Sequence, residues 1–112
     1  MTKVEISFSD FQKLDFRVGK VVSATQVNGS TSLIKLEVDL GEDVGKRNIL
    51  AGVAKWYKAD ELTGKKFIFV VNLASKRMMG EVSYGMMLAA DVDSKARILP
   101  IDDKIPEGTV VR

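Results

Sequence analysis

The sequence contains no cysteine and no histidine. Without cysteine, the chain has no thiol nucleophile, no disulfide and no thiolate ligand for a metal ion. Without histidine, it lacks the side chain that serves most often as a general base near neutral pH and as a metal ligand. These absences favour binding over catalysis, and we expect no metal, no cofactor and no enzymatic activity of the chain itself.

Long apolar runs are missing as well. The longest, Phe67 to Val71, is far shorter than the about 20 apolar residues of a membrane-spanning helix. The N-terminus has no basic segment followed by a long apolar core, which is the pattern of a secretory signal peptide. We therefore expect a soluble, cytoplasmic protein with no membrane partner, and its 112 residues fit a single domain, 1–112.

Aromatic residues are scarce, at 7% of the chain. Proteins that bind single strands without sequence preference stack successive bases on aromatic side chains. Phe67 and Phe69 lie among apolar neighbours and are expected in a core. The supply of aromatics therefore argues against a stacking platform and favours contacts to the backbone of a folded nucleic acid.

Charge is concentrated in the middle of the chain. Residues 44–80 hold eight basic and two acidic side chains, whereas residues 1–43 hold five basic and seven acidic ones. A basic segment between mildly acidic ends suits a partner that presents negative charge on one side. A solvated face made of unrelated lysines would give the same count, and charge alone does not separate the two interpretations.

Alternating apolar residues predict strands along most of the chain. Ile34, Leu36 and Val38 give the clearest case, and Val4, Ile6 and Phe8 predict a half-buried extended segment at the N-terminus. Ser9 followed by Gln12 resembles a capping box and predicts a helical turn over Asp10 to Leu14, with Phe11 and Leu14 on a core. Gly19 within the first long strand predicts a bulge or bend.

The other predicted elements are short. Strands are expected over Arg17 to Ala24, Arg47 to Ala51, Phe67 to Val71, Tyr84 to Ala90, Ala96 to Leu99 and Thr109 to Val111. Ala54 to Gly64 is the most helix-like piece, and Asn72 to Gly80 is expected to be a loop that carries Lys76 and Arg77. The pattern predicts an all-β fold, a five-stranded OB-type Greek-key barrel with a short helix between strands 3 and 4 and extra terminal strands. Strand count alone leaves an SH3-like barrel open.

The segment from Ser9 to Gly19 resembles the opening of the tRNA-binding-domain family, which includes the C-terminal extension of bacterial methionyl-tRNA synthetase and free-standing tRNA-binding proteins. Further matches follow in the family's order: Val38-Asp39-Leu40-Gly41, Arg47 through Gly52, Asp60-Glu61-Leu62 with Gly64-Lys65, Val70-Val71-Asn72-Leu73, and Ser83-Tyr84-Gly85-Met86. The resemblance extends from about Ser9 to Gly108. It implies tRNA as the partner, a homodimer, and a stand-alone protein or an accessory subunit of methionyl-tRNA synthetase.

Three positions depart from the family pattern. Ser32 stands where the family often has a lysine, which makes Lys35 a substitute for that phosphate contact. Ser75 replaces a proline that would fix φ before the basic pair. Tyr84 replaces a common glutamate and so removes a negative charge from the expected RNA face.

The resemblance and the basic residues together predict a set of RNA-contacting side chains: Lys35, Arg47, Asn72, Lys76, Arg77, Ser83 and Met86. Lys76 and Arg77 suit phosphates, which supply affinity. Ser83 suits a phosphate or a 2′-hydroxyl, and Met86, expected to be exposed where Met87 is buried, suits a base or ribose. Arg17 lies close to Asp15 in sequence and is expected to pair with it, a structural role.

Two other functions compete with tRNA binding. A peptide-binding secretion chaperone of the CsaA type belongs to the same superfamily, although such chaperones typically alter the Ser-x-Gly-Met segment that is intact here. An enzyme would need a carboxylate pair such as Asp102 and Asp103, and neighbours on a strand point to opposite faces.

Overall fold

In the computed structural model, which describes residues 1–112, ten strands and three one-turn helices follow one another along the chain. In chain order they are α1 (Phe8–Phe11), β1 (Phe16–Gln26), β2 (Ile34–Asp39), α2 (Gly41–Val44), β3 (Lys46–Ala51), α3 (Ala59–Leu62), β4 (Lys66–Val70), β5 (Lys76–Met78), β6 (Glu81–Ser83), β7 (Met86–Met87), β8 (Ala89–Val92), β9 (Lys95–Ile98) and β10 (Val110–Val111). No helix is both long enough and apolar enough to span a membrane.

The main sheet has the strand order β3-β2-β1-β4-β7, with every neighbouring pair antiparallel. The sheet curls until the chain just before β7 reaches β3, where the Tyr84 N–H donates to the Asn48 carbonyl at 3.0 Å. The last strand, β10, pairs with the start of β1. The five-stranded OB-type barrel predicted from the sequence is therefore confirmed, as is the short helix α3 between β3 and β4.

The barrel interior is filled by the inward residues of the long strands. The alternation in β2 works as predicted, because Ile34, Leu36 and Val38 are all buried. Phe67 and Phe69 of β4 are also fully buried and meet edge to face with ring centroids 6.5 Å apart. The two phenylalanines therefore belong to the core, as expected, and present no surface for stacking.

The bend predicted at Gly19 lies elsewhere in β1. The register between β1 and β2 shifts between Val21 and Ser23, and Val22 at this shift is exposed. Gly19 is instead a point of close packing. A Cβ there would lie 2.5 Å from Val38 Cγ1 and 2.8 Å from Phe69 Cδ2, so the interior leaves no room for a side chain.

The prediction for the N-terminus is wrong in three respects. Residues 1–7 form no strand, and Val4, Ile6 and Phe8 are strongly exposed in the single chain. The helical turn covers Phe8–Phe11 and is capped by Ser7, whose hydroxyl accepts the Asp10 N–H at 3.1 Å. Phe11 and Leu14 are exposed at the same end of the molecule. Local alternation and capping patterns do not report which segment has a partner to pack against.

Three other elements differ from the predictions. Residues 72–80 are not a plain loop, because β5 and β6 form a hairpin that contains Lys76 and Arg77. The strand predicted from Tyr84 to Ala90 is divided into β7 and β8, and β8 leaves the barrel to form a separate hairpin with β9. The helix predicted over Ala54 to Gly64 is confined to α3, Ala59–Leu62.

Candidate nucleic-acid interface

The hairpin β5–β6 and the loop between β1 and β2 meet at one end of the barrel. OB-folds bind oligonucleotides on the face of strands 2 and 3 and on two loops, one between barrel strands 1 and 2 and the other between barrel strands 4 and 5. The hairpin lies in the connection from β4 to β7, which is the second of these loops. We call the space between them the loop cleft, about 450 Å³ in volume. Its lining residues are Thr25, Gln26, Val27, Asn28, Lys35, Met79, Gly80 and Glu81.

The tip of the hairpin has a tight turn at Met79 and Gly80. Both residues have positive φ, 51° and 79°. Such turns match the twist of the flanking strands and normally take asparagine, aspartate or glycine, so Met79 is an unusual occupant. Its exposed side chain overlies Gly29 of the β1–β2 loop, where a Cβ would lie 3.5 Å from the Met79 methyl. The turn therefore presents a polarisable apolar surface at the mouth of the loop cleft.

Lys35 stands on the outer face of β2 and reaches the loop cleft. Its Nζ lies 3.2 Å from Oε1 of Glu81 at the start of β6. Both side chains are partly exposed. Contact of Lys35 with RNA stays a prediction, and in the free protein the Glu81 carboxylate is its partner.

Lys76 and Arg77 are both exposed on β5. Because they are neighbours on a strand, their side chains leave opposite faces of the hairpin. Lys76 lies opposite Ser83 and shares its face with Glu81, whereas Arg77 lies opposite Val82 on the other face. A rigid hairpin therefore cannot present both side chains in the same direction, as a flexible loop would.

Ser83 lies inside the protein. The residue is 3% exposed, and its hydroxyl accepts the Leu50 N–H at 3.0 Å and donates to the Gly85 carbonyl at 3.0 Å. This hydroxyl closes the barrel between β6 and β3, and it is not free to contact RNA as the sequence predicted. Gly85 is constrained from within as well, because a Cβ there would lie 2.9 Å from the Val70 carbonyl oxygen.

Arg47 and Asn72 also make contacts within the chain. The Arg47 guanidinium donates to the Val71 carbonyl at 2.6 Å, beside the point where the barrel closes. The Asn72 amide accepts the Asp15 N–H at 2.8 Å and donates to the Lys13 carbonyl at 2.6 Å, which fixes the segment leading into β1. RNA contact by these two residues stays a prediction, and their visible role is structural.

Met86 and Tyr84 supply an exposed apolar surface next to the hairpin. Met86 is 46% exposed and Met87 is 7% exposed, which confirms the predicted assignment of the pair. Tyr84 is 48% exposed and, as the residue two positions before Met86, is close to it. Met79 and Glu81 line the loop cleft and were missed by the sequence analysis, since only the hairpin and its register bring them there.

The basic middle of the sequence is dispersed in the fold. Lys66 is buried, and its ammonium donates to the Asp103 and Ile105 carbonyls at 2.7 Å and lies 3.2 Å from Glu107. Lys46 stands opposite Asp39, at the end of β3 away from the loop cleft. The charge excess of residues 44–80 therefore does not mark one continuous face, although Lys76 and Arg77 remain exposed beside the cleft.

Arg17 has the structural role expected for it. Its Nε lies 2.7 Å from Asp15 Oδ1, and Asp43 approaches at 3.7 Å. The hydrogen bond that Arg17 donates to the Asp15 carboxylate raises the pKa of Arg17 above its ordinary value, so the guanidinium stays charged. The chain holds no group of three or more Asp or Glu side chains placed to bind a metal ion.

A family model described as "Putative tRNA binding domain" matches residues 16–110. The chain belongs to the tRNA-binding domain family. It is 45% identical over 112 residues to a methionine–tRNA ligase of Clostridium tetani, covering 98% of this chain and 17% of that protein. A methionine–tRNA ligase of Methanothrix thermoacetophila is 44% identical over 110 residues, which cover 16% of its length. The chain thus spans about a sixth of the ligases that it matches.

Solved structures agree with this family assignment. A MetRS-related protein from Pyrococcus horikoshii has a TM-score of 0.93 and 37% identity, covering 98% of this chain and 100% of that one. The chaperone CsaA from Bacillus anthracis has a TM-score of 0.86 and 30% identity, covering 97% of this chain and 100% of that one. The tRNA-binding domain and the CsaA chaperone therefore share this barrel, and the fold alone does not separate their functions.

Proposed function

We propose that this tRNA-binding domain, residues 1–112 acting as one unit, recognises the folded outline of tRNA and catalyses no reaction by itself. The match of the family model to residues 16–110 carries this proposal. Support from the site comes from the loop cleft, with Lys35 on its wall, from Lys76 and Arg77 exposed on the hairpin, and from the exposed side chain of Met86. Phosphate contacts from the basic side chains supply affinity, and the rigid barrel sets their spacing.

A competition titration tests this function. Labelled tRNA is bound to the protein at a series of salt concentrations, and unlabelled tRNA and duplex DNA of equal charge compete for it. We expect tRNA to compete better than the DNA at every salt concentration, with affinity falling as salt rises. Equal competition by the DNA at moderate salt would leave only non-specific charge attraction and would refute recognition of tRNA.

A homodimer would bring two such surfaces to one RNA, and we propose that a second copy covers the N-terminal apolar patch. We define this patch as Val4, Ile6, Phe8, Phe11 and Leu14, which are all exposed in the single chain. A hollow of about 570 Å³ between α1 and β10 adds Val110 and Val111 to the same region. Exposed apolar side chains in a contiguous group are typical of protein interfaces.

Sedimentation equilibrium of wild type, Ile6→Asp/Phe8→Asp and the control Val92→Asp tests the dimer. The double substitution places charge in the patch, whereas Val92 is an exposed apolar residue on the separate β8–β9 hairpin. We expect a dimer for wild type and the control and a monomer for the double variant. A wild-type monomer at micromolar concentration would refute the dimer and leave tRNA binding intact.

The relatives suggest a place for the domain beside methionyl-tRNA synthetase. The matching region of those ligases is a small part of a longer enzyme. We propose that this chain supplies tRNA to such an enzyme, and the increase in aminoacylation rate at low tRNA concentration is the measurement. No increase on adding the domain to the purified synthetase would argue for a free-standing role.

The similarity to CsaA chaperones motivates a second candidate, peptide binding. The exposed apolar N-terminal patch is the observation that favours it, because unfolded polypeptides expose apolar side chains of the same kind. Fluorescence titration with a reduced, unfolded polypeptide tests it. Binding of the polypeptide without measurable tRNA affinity would place the chain with the chaperones.

A further inference from the structure

The ion pair between Lys35 and Glu81 joins β2 to the hairpin across the wall of the loop cleft. The two residues are 46 positions apart in sequence, and their charged atoms lie 3.2 Å apart. Each side chain is 35% exposed, so water and salt reach both charges. Ion pairs in such surroundings contribute little to folding.

The hairpin has stronger attachments than this pair. The Ser83 hydroxyl bonds to the Leu50 N–H and the Tyr84 N–H bonds to the Asn48 carbonyl, and both bonds fasten the C-terminal end of β6 to β3. The Lys35–Glu81 pair can therefore open while the hairpin keeps its place. Because the ion pair adds little to the stability of the hairpin, its role concerns the binding of a ligand.

Glu81 is the one acidic side chain of the β5–β6 hairpin, which also holds Lys76 and Arg77. It is the only acidic residue between Glu61 and Asp91, and it follows directly on the turn at the mouth of the loop cleft. On the hairpin it shares a face with Lys76. A carboxylate at this point repels any nucleic-acid backbone that enters the cleft, unless a phosphate of that backbone replaces the carboxylate as the partner of Lys35.

We propose that Glu81 is a selectivity residue for RNA. In the free protein its carboxylate pairs with Lys35, and only a phosphate that a correctly folded RNA places at Lys35 displaces it. This inference rests on the proposed tRNA binding. A tRNA that docks on the rigid surface exchanges the Glu81 carboxylate for its own phosphate at Lys35. A flexible strand held by Lys76 or Arg77 alone gains no contact at Lys35 and meets the negative charge of Glu81.

The proposal predicts an asymmetric effect of removing the carboxylate. Glu81→Gln frees Lys35 for any phosphate, so affinity for an unstructured RNA should rise by up to about fivefold, the change that one exposed charge interaction gives. The salt slope for that RNA should steepen by about 0.7, as one additional phosphate contact on a single strand requires. Affinity for tRNA should rise less, so the ratio of the two affinities falls.

Equilibrium titrations with tRNA and with a polyuridine of equal length measure this ratio for wild type, Glu81→Gln and the matched control Glu42→Gln. Glu42 is an exposed acid in α2 and makes no ion pair or side-chain hydrogen bond. The control changes the net charge by the same amount and should leave the ratio unchanged. An equal rise in affinity for both RNAs in Glu81→Gln would overturn the proposal, because Glu81 would then act only through the net charge of the protein.

Glu81→Asp separates the charge from the pairing with Lys35. The shorter side chain keeps the negative charge at the mouth of the cleft but does not reach Lys35, so polyuridine affinity should rise, though by less than in Glu81→Gln. Polyuridine affinity equal to that of wild type would overturn the proposal, because the pairing with Lys35 would then have no effect on RNA binding. If wild type itself does not prefer tRNA to polyuridine, then the proposed function fails; if it does and Glu81→Gln keeps that preference, only this inference fails.

Discussion

Where the barrel closes, the Leu50 N–H donates to the hydroxyl of Ser83 at 3.0 Å, as it would to a backbone carbonyl of a neighbouring strand. Leu50 is 6% exposed, so no water replaces the hydroxyl if it is removed. A buried donor left without a partner costs about 1–3 kcal/mol. We expect Ser83→Ala to lower the free energy of unfolding by about that amount, measured by urea denaturation followed by circular dichroism.

Ser23→Ala serves as the control for this prediction, because Ser23 is an exposed serine of β1 without a side-chain hydrogen bond. Its unfolding free energy should match that of wild type. If Ser83→Ala is as stable as wild type yet binds tRNA less tightly, then the hydroxyl acts on RNA and not on barrel closure.

Gly19 and Gly52 offer a matched pair for the packing of the interior. A Cβ at Gly19 would lie within 2.8 Å of side-chain atoms of Val38, Leu40 and Phe69, whereas a Cβ at Gly52 meets no atom within 4 Å. Overpacking of a core costs about 1–3 kcal/mol. Thermal unfolding should show a clear loss of stability for Gly19→Ala and little change for Gly52→Ala. Equal melting temperatures for Gly19→Ala and Gly52→Ala would mean that β1 shifts to accept the added methyl group without loss of stability.

Glu107 makes stability depend on acid pH. Its own backbone N–H and the buried Lys66 ammonium hold the pKa of Glu107 below its ordinary value of 4.5. Because the pKa is lowered in the folded state, the stabilisation is present above the unfolded value and is lost as pH falls through the folded one. The difference in unfolding free energy between wild type and Glu107→Gln should be constant from pH 7 to about 5 and shrink below that.

Urea denaturation of wild type and Glu107→Gln from pH 7 to pH 3 measures this difference. Glu42→Gln is the control, because Glu42 makes no contact like that of Glu107 with Lys66. Glu42 is exposed and without an ion pair, so its substitution should give a curve close to that of wild type. A wild-type curve parallel to that of Glu107→Gln over the whole range would contradict a role for the Lys66–Glu107 pair.

Lys76 and Arg77 should contribute unequally to RNA binding. Lys76 shares the hairpin face of Glu81 beside the loop cleft, and Arg77 leaves the opposite face. We expect Lys76→Gln to weaken tRNA binding and to flatten the salt slope by about 1, the effect of one lost phosphate contact. Arg77→Gln should change the slope by less than half as much. Equal losses in the two single variants would indicate that the hairpin twists or opens on binding.

The barrel and its core could be predicted from the sequence because period-2 alternation records which face of a strand is buried. Ile34, Leu36 and Val38 follow that rule, and the continuous apolar run of β4 marks a strand enclosed by its neighbours. The N-terminal alternation of Val4, Ile6 and Phe8 looks the same but leads to exposed side chains. Alternation shows that a segment has an apolar face, and it does not show what covers that face.

The candidate site could be predicted only in part, for a related reason. Lys35 lines the loop cleft, Lys76 and Arg77 are exposed on the hairpin whose tip lines it, and Met86 is exposed, but none of these positions tests a contact with RNA. The engagement of Ser83 with Leu50 and of Lys35 with Glu81 depends on register between strands distant in sequence. Such pairings are set by tertiary structure, and no local motif contains them.

The pairing of β10 with the start of β1 has a consequence for how this domain joins a longer protein. Val111 lies opposite Phe16, and α1 packs beside them, so both ends of the chain emerge at the same end of β1. The loop cleft lies at the other end of β1, which spans eleven residues, or about 30 Å. A domain fused at either terminus would therefore lie at the opposite end of β1 from the cleft and would leave the cleft open.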